Sequence, residues 1–295
     1  MHKSFGNLLT AMVTPFDNNL KVDYSKVRKL SRHLVDEGCD GLVVLGTTGE
    51  VPTLNFQEKL EILRTVVSEV GEDANVVAGT GSYSTEASKK LTKEAEEIGV
   101  DGVMLVVPYY NKPPQYALYN HFKEIAESTE LPVMIYNVPS RTSRNIEPET
   151  VKKLVQDVDN IIAIKEASGD LGQVAELSLI ERDDFYIYSG DDMLTLPIMS
   201  LGGEGIVSVA GHVAAKKIKE MITLYKTGNP VQSRELNKKL IPVYNSMFID
   251  TNPIPVKEAL KITGFDAGSP RPPLYKLTEE KREKLAKVLK EADLI

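Results

Sequence analysis

A chain of 295 residues, 42% hydrophobic and 26% charged, has enough apolar material for one large domain or two modest ones. Its formal charge of −7 argues against a nucleic-acid partner, although a few local cations can still draw an anionic metabolite into a cleft. The single cysteine, Cys39, can form no disulfide within the chain, and no apolar run approaches the ~20 residues of a membrane span. The first apolar patch is broken at Pro15, too soon for a signal peptide, so the expectation is a cytoplasmic protein with no membrane partner.

Short apolar runs alternate with longer amphipathic stretches from the start. The runs fall at 8–14, 41–46, 75–80, 102–107, 132–137, 161–165, 185–190 and 205–210. Their hydrophobicity is continuous rather than alternating, as expected of parallel strands buried on both faces. Between them, Asp23 caps a helix carrying Val27, Leu30 and Leu34 and ending at Gly38. Asn55 and Glu58 have the spacing of a capping box, opening a helix with Leu60, Leu63, Val67 and Val70 on one face. Ser84 caps another, with Ala87, Leu91, Ala95 and Ile98 predicted to face inward and Gly99 ending it.

A faint repeat links two of these units: Gly38-Cys-Asp-Gly41 reappears as Gly99-Val-Asp-Gly102, each before a strand. Eight strands, each followed by a helix, predict an α/β fold, the (β/α)₈ TIM barrel, with a C-terminal helical extension. The expected division is a barrel core at 1–212 and an extension of three or four helices at 213–295. A doubly wound sheet is the alternative, but no GxGxxG follows any strand.

In a barrel, chemistry sits where strands end and the next loops begin. The sixth run ends in Lys165, and burial there disfavours the ammonium, freeing a neutral amine to attack a carbonyl. The plain alternative is a lysine that snorkels to solvent or pairs with Glu166. After the second run, Gly46-Thr47-Thr48-Gly49-Glu50 offers backbone N–H groups and hydroxyls to a carboxylate or oxyanion. Tyr110 follows the fourth run, Tyr136 ends the fifth, and Arg141 lies just beyond, suited to bidentate capture of a carboxylate. The histidines (His2, His33, His121, His212) are scattered, and Asp191-Asp192 reads as a helix cap, so no metal is expected.

These segments, with Pro108-Tyr109-Tyr110-Asn111, Tyr136 to Thr142, Ile164-Lys165-Glu166-Ala167, Ser189-Gly190-Asp191-Asp192 and Asn252-Pro253-Ile254-Pro255-Val256-Lys257, resemble in order those of the dihydrodipicolinate synthase family of pyruvate-dependent class I aldolases. The resemblance implies condensation of pyruvate with L-aspartate 4-semialdehyde to 4-hydroxy-tetrahydrodipicolinate, in diaminopimelate and lysine synthesis, without cofactor or metal. It implies that Lys165 forms the Schiff base and that Tyr136 shuttles protons. Thr47 and Tyr110 would form a relay, Tyr110 entering from a neighbouring subunit of a homotetramer, while Thr47 and Thr48 hold the pyruvate carboxylate. Arg141 would receive the semialdehyde carboxylate, and the backbones of Gly190 and Val207 would orient the lysine and the nascent ring.

The rivals are a sister aldolase of N-acetylneuraminate or keto-deoxy-gluconate type and a non-catalytic pyruvate-binding relative. Against the sister aldolase stands Arg141, expected to be a buried charge in need of a substrate carboxylate. Lysine-inhibited members of the family bind their effector with a histidine, a glutamate, an asparagine and a tyrosine. Here the matching residues are Lys59, Ala87, Tyr83 and Tyr109, so feedback by lysine is expected to be weak or absent.

Overall fold

The computed structural model describes residues 4–295. Its strands are β1 (Leu8–Ala11), β2 (Gly41–Val44), β3 (Asn75–Gly79), β4 (Gly102–Val106), β5 (Val133–Asn137), β6 (Ile161–Glu166), β7 (Tyr186–Ser189) and β8 (Gly205–Ser208). They follow one another in chain order around a closed parallel barrel, the TIM-barrel fold. Burial is nearly unbroken along every strand, which accounts for the continuous apolar runs.

The helices that follow the first seven strands are α1 (Tyr24–Asp36), α2 (Phe56–Val70), α3 (Thr85–Ile98), α4 (Gln115–Ala126), α5 (Pro139–Thr142), α6 (Pro148–Asp157), α7 (Leu171–Leu177) and α8 (Thr195–Ser200). After β8 come α9 (Gly211–Lys226), α10 (Pro230–Ser246), α11 (Ile254–Ile262) and α12 (Glu279–Glu291). The contacts divide the chain into two compact units, residues 4–7 with 75–207 and residues 8–74 with 208–295.

The helix starts follow the sequence reading. Asp23 accepts from Lys26 N, Ser84 accepts from Ala87 N, and Asn55 and Glu58 complete the capping box in both directions. The inward faces are rotated, however. In α3 the buried residues are Ser88, Leu91, Thr92 and Ala95, while Ala87 is exposed. Ser88 is drawn inward because its hydroxyl accepts from Ser82 N, a preference that apolar spacing could not reveal. In α2, Val66 is buried and Val67 only half-buried.

The Gly-x-Asp-Gly repeat has a physical cause. Gly38 and Gly99 end their helices at φ of 102° and 92°, a left-handed conformation that side chains disfavour. The aspartate behind each then accepts from a backbone N–H at the start of an earlier strand. Asp40 Oδ2 accepts from Leu8 N at 3.0 Å, and Asp101 Oδ2 accepts from Val76 N at 2.8 Å. The repeat is therefore a device for setting strand register.

Candidate active site

Lys165 sits one residue from the end of β6, in register with Tyr136 of β5 and Tyr188 of β7. It is 5% exposed, and its amine lies 4.2 Å from the centroid of the Tyr136 ring. Among the described residues no carboxylate forms an ion pair with it. Burial pulls the amine down to about 7, opposed by the charge of Asp192 and reinforced by that of Arg141. The group is therefore balanced between ammonium and free amine near neutral pH, which suits a carbonyl nucleophile.

Room for the lysine stem comes from Gly190. A Cβ there would stand 3.1 Å from both Cγ and Cε of Lys165 and 2.7 Å from Cβ of Ala167. The Gly190 N–H donates to Glu166 O at 2.7 Å, which ties the end of β7 to the end of β6.

Glu166 does not pair with Lys165. Successive strand residues point to opposite faces, and Glu166, buried itself, accepts from Asn137 Nδ2 at 3.0 Å, Gln173 Nε2 at 2.9 Å and Ser168 N at 2.6 Å. Asn137 also donates to Asn145 Oδ1 at 2.7 Å and accepts from Ile146 N at 3.2 Å. This network holds the residue after Tyr136, the residue after Lys165 and the segment beyond Arg141.

Arg141 lies in the single turn of α5 and is exposed, with no ion pair among the described residues. The expected buried charge is absent, so burial of this arginine does not discriminate among aldolases. Tyr110 has a φ of 70° and is 92% exposed, while its neighbour Tyr109 packs edge-on against Tyr83 with centroids 5.2 Å apart. Val207 is buried in β8.

Asp191 accepts from Met193 N as a cap, whereas Asp192 is 2% exposed. The sequence predicts a capping role for both. A buried acid whose charge acts on Lys165 has no sequence signature of its own, and that influence shows only once β6 and β7 lie side by side.

The loop after β2 is stiffened by two turns, Gly49 N to Gly46 O and Glu50 N to Thr47 O, both at 3.1 Å. Thr47 is half-buried and Thr48 is buried. Asn252 Nδ2 donates to Thr48 Oγ1 at 2.9 Å. Glu50 holds a left-handed φ of 55° and closes an ion pair with Lys257 Nζ at 2.6 Å, both side chains 2% exposed. Arg271 N–H donates to the other Glu50 oxygen at 2.8 Å. The Arg271 guanidinium and the Lys257 ammonium both lie over the ring of Phe16, at 4.4 and 4.2 Å.

Arg271 also makes a two-pronged pair with Glu58, the capping-box residue of α2. Glu50, Lys257 and Arg271 escaped the sequence reading as a group, although two of them stand in quoted segments, because ion pairing across such separations leaves no local pattern. Among the described residues no three His, Cys, Asp or Glu side chains gather to hold a metal, and no helix is long and apolar enough to cross a membrane.

Similar proteins match this chain along nearly their whole length. A 4-hydroxy-tetrahydrodipicolinate synthase of Desulforudis audaxviator is 55% identical over 295 residues, covering 100% of each chain. A dihydrodipicolinate synthase structure from Bacillus anthracis is 50% identical, covers 97% of this chain and 98% of its own, and superposes with a TM-score of 0.95. A lysine-bound structure of the enzyme from Cyanidioschyzon merolae is 42% identical, covers 99% of both chains, and superposes with a TM-score of 0.97. Residues 4–292 match the Dihydrodipicolinate synthetase family, and with the relatives' full-length identity this means that the chain belongs to that family.

Proposed function

We propose that this chain is a Schiff-base synthase that condenses pyruvate with L-aspartate 4-semialdehyde to 4-hydroxy-tetrahydrodipicolinate, feeding diaminopimelate and lysine synthesis. The observation that carries the reading is the state of Lys165: a buried amine without a carboxylate partner, drawn down to about 7 and facing a tyrosine ring. Holding an amine in this way costs folding energy whether or not it reacts, which favours a chemical role over a stabilising one.

The neutral Lys165 amine attacks the keto carbon of pyruvate, and loss of water leaves an imine whose protonated form withdraws electrons from the adjacent methyl group. Loss of a methyl proton gives the enamine, the carbon nucleophile for the aldehyde of the second substrate. Tyr136 moves protons to and from this centre. A phenol has an ordinary pKa near 10, so Thr47 and Tyr110 serve as its relay.

Thr47 and Thr48 receive the pyruvate carboxylate, and Arg141 receives that of the semialdehyde, its exposed guanidinium having donors to spend. The backbones of Gly190 and Val207 orient the lysine and the closing ring. No cofactor or metal enters, because the imine itself is the electron sink.

The same reading takes 1–212 as the barrel core and 213–295 as its helical extension. It makes the enzyme a cytoplasmic homotetramer, a dimer of dimers, in which Tyr110, exposed in the single chain, reaches a neighbouring subunit's site. The test is to incubate the protein with pyruvate, reduce with borohydride, and locate the adduct by mass spectrometry. The expected result is modification of Lys165 alone, with consumption of aspartate semialdehyde rather than a sugar aldehyde. An unmodified Lys165 rejects the reading.

A further inference from the structure

A threonine hydroxyl can accept and donate at once. At Thr48 the acceptor side is taken by Asn252 Nδ2 at 2.9 Å, and both residues are buried, 3% and 5% exposed. Among the described residues nothing accepts the Thr48 proton. A hydroxyl that receives an amide N–H on one side and finds no acceptor on the other is a donor in waiting, and a carboxylate is the acceptor it serves most strongly.

Asn252 has a second unusual feature: its Oδ1 is buried with no hydrogen-bond partner. A purely structural asparagine at that depth would be expected to satisfy both ends of its amide.

The segment that carries Asn252 meets the loop after β2 a second time, through Lys257 and Glu50 at 2.6 Å. Glu50 keeps its left-handed backbone, φ 55°, with its carboxylate held by Lys257 and by Arg271 N. Two attachments, one on Thr48 and one on Glu50, stop the loop from rotating. We infer that Asn252 is a positioning residue for pyruvate: it orders Thr48 as a one-way donor toward the substrate carboxylate, while the Glu50–Lys257 pair holds the loop in place. This rests on the reading above that Thr48 receives that carboxylate.

The aspartate variant isolates the effect because it preserves shape and reverses the hydrogen bond. In Asn252→Asp a carboxylate oxygen can only accept, so it takes the Thr48 proton intended for pyruvate. The pyruvate KM is expected to rise about tenfold, the worth of one lost hydrogen bond, with kcat per folded molecule little changed, although the buried carboxylate lowers the thermal midpoint. Thr48→Val should raise the pyruvate KM to a similar degree, and the double variant should be no worse than Thr48→Val alone.

If Thr48→Val leaves the pyruvate KM unchanged, the reading of Thr48 fails, and the role of Asn252 with it. If Thr48→Val raises the KM and Asn252→Asp does not, only the inference about Asn252 is overturned. Loss of kcat in step with loss of folded protein, at unchanged KM, likewise makes Asn252 structural and overturns it. Should the aspartate variant not fold, Asn252→Ala decides: the untethered hydroxyl should raise the pyruvate KM about threefold at constant kcat, and an unchanged KM refutes the inference.

Discussion

Lys165 and Lys257 are hidden from solvent to almost the same degree, 5% and 3% exposed, and both lie against an aromatic ring at 4.2 Å. Desolvation lowers both amines, to about 7 and about 8. What separates them is company. Lys257 meets Glu50 at 2.6 Å, whose charge and hydrogen bond work against the desolvation, while Arg271 adds to it. Lys165 has no such partner, and the charge of Asp192 offsets its burial only in part. Burial thus prepares a lysine for two opposite uses, and the presence of a carboxylate decides between them: paired, it ties a loop; unpaired, it can lose its proton at neutral pH and react.

The widest separation is expected in chemistry. Lys165→Ala or Lys165→Arg should reduce turnover to background, since alanine supplies no nucleophile and a guanidinium stays protonated. Lys257→Met should still form the pyruvate adduct in whatever fraction remains folded. Borohydride trapping, normalised to folded protein by circular dichroism, measures both. Appreciable activity in a Lys165 variant would end the assignment.

Stability should reverse the order. Removing Lys257 leaves Glu50 buried without its ion-pair partner, held only by Arg271 N–H, at a cost on the order of 3–5 kcal/mol. Lys165→Met removes an unpaired buried charge and should leave stability unchanged or raised. Urea unfolding of the two variants checks this, and equal losses would mean that the carboxylate partner does not separate the two lysines.

A smaller effect is expected at Arg141, whose charge acts on Lys165 from an exposed position. Arg141→Ala should lower kcat/KM for the semialdehyde by about tenfold or more, from a charge-assisted pair worth about 1.5–3 kcal/mol. Trapping of pyruvate on Lys165 should persist. Collapse of trapping with an unchanged KM for the semialdehyde would reassign this residue.

The pH dependence of adduct formation reports directly on Lys165. With the Lys165 amine near 7, the initial rate of adduct formation at subsaturating pyruvate should rise about tenfold per pH unit below 7 and level off above it. The stability sign follows from the same shift. The unfolded chain holds this proton up to its ordinary value of 10.5 while the folded chain releases it near 7. The cost of burying Lys165 is therefore full below pH 7 and fades as pH rises toward 10.5. The stability advantage of Lys165→Met over the unaltered protein should shrink over that same interval. A flat difference would place the shift elsewhere.

The smallest expected effect is an absence. Lysine needs an acceptor for its amino groups, and Ala87 supplies none where the family resemblance implies a carboxylate in lysine-inhibited members. Lys59 is half-buried with its amine lowered by desolvation, so the missing acceptor, more than charge repulsion, supports this expectation. Half-inhibition by L-lysine below about a millimolar, where a retained carboxylate pair would still be well occupied, would contradict it.

Much of the fold is legible along the chain because the forces behind it are local. Continuous apolar runs mark β1 to β8, since a strand covered on both faces has no polar side to show. Asp23, Asn55, Glu58 and Ser84 announce helix starts, since a cap acts on N–H groups only two or three residues ahead. Lys165 can be singled out because an ammonium at the end of an apolar strand is costly wherever that strand is buried. Rotation about the helix axes is less legible: Ser88 displaces Ala87 from the inner face of α3 through a hydrogen bond to Ser82 that no hydrophobic pattern encodes.

Which charges find partners is decided only when distant segments meet. Adjacent in sequence, Lys165 and Glu166 part company because strand geometry sends them to opposite faces, and Glu166 is satisfied by amides from β5 and α7 instead. Far apart in sequence, Glu50 and Lys257 meet at 2.6 Å with Arg271 alongside. Short-range sterics and burial, both readable along the chain, account for the barrel, most of its caps and the burial of Lys165 at a strand end. Tertiary structure alone decided that Lys165 stays unpaired, that Lys257 does not and that Arg141 faces solvent, because Coulomb and desolvation energies depend on distance in space, to which separation along the chain is no guide.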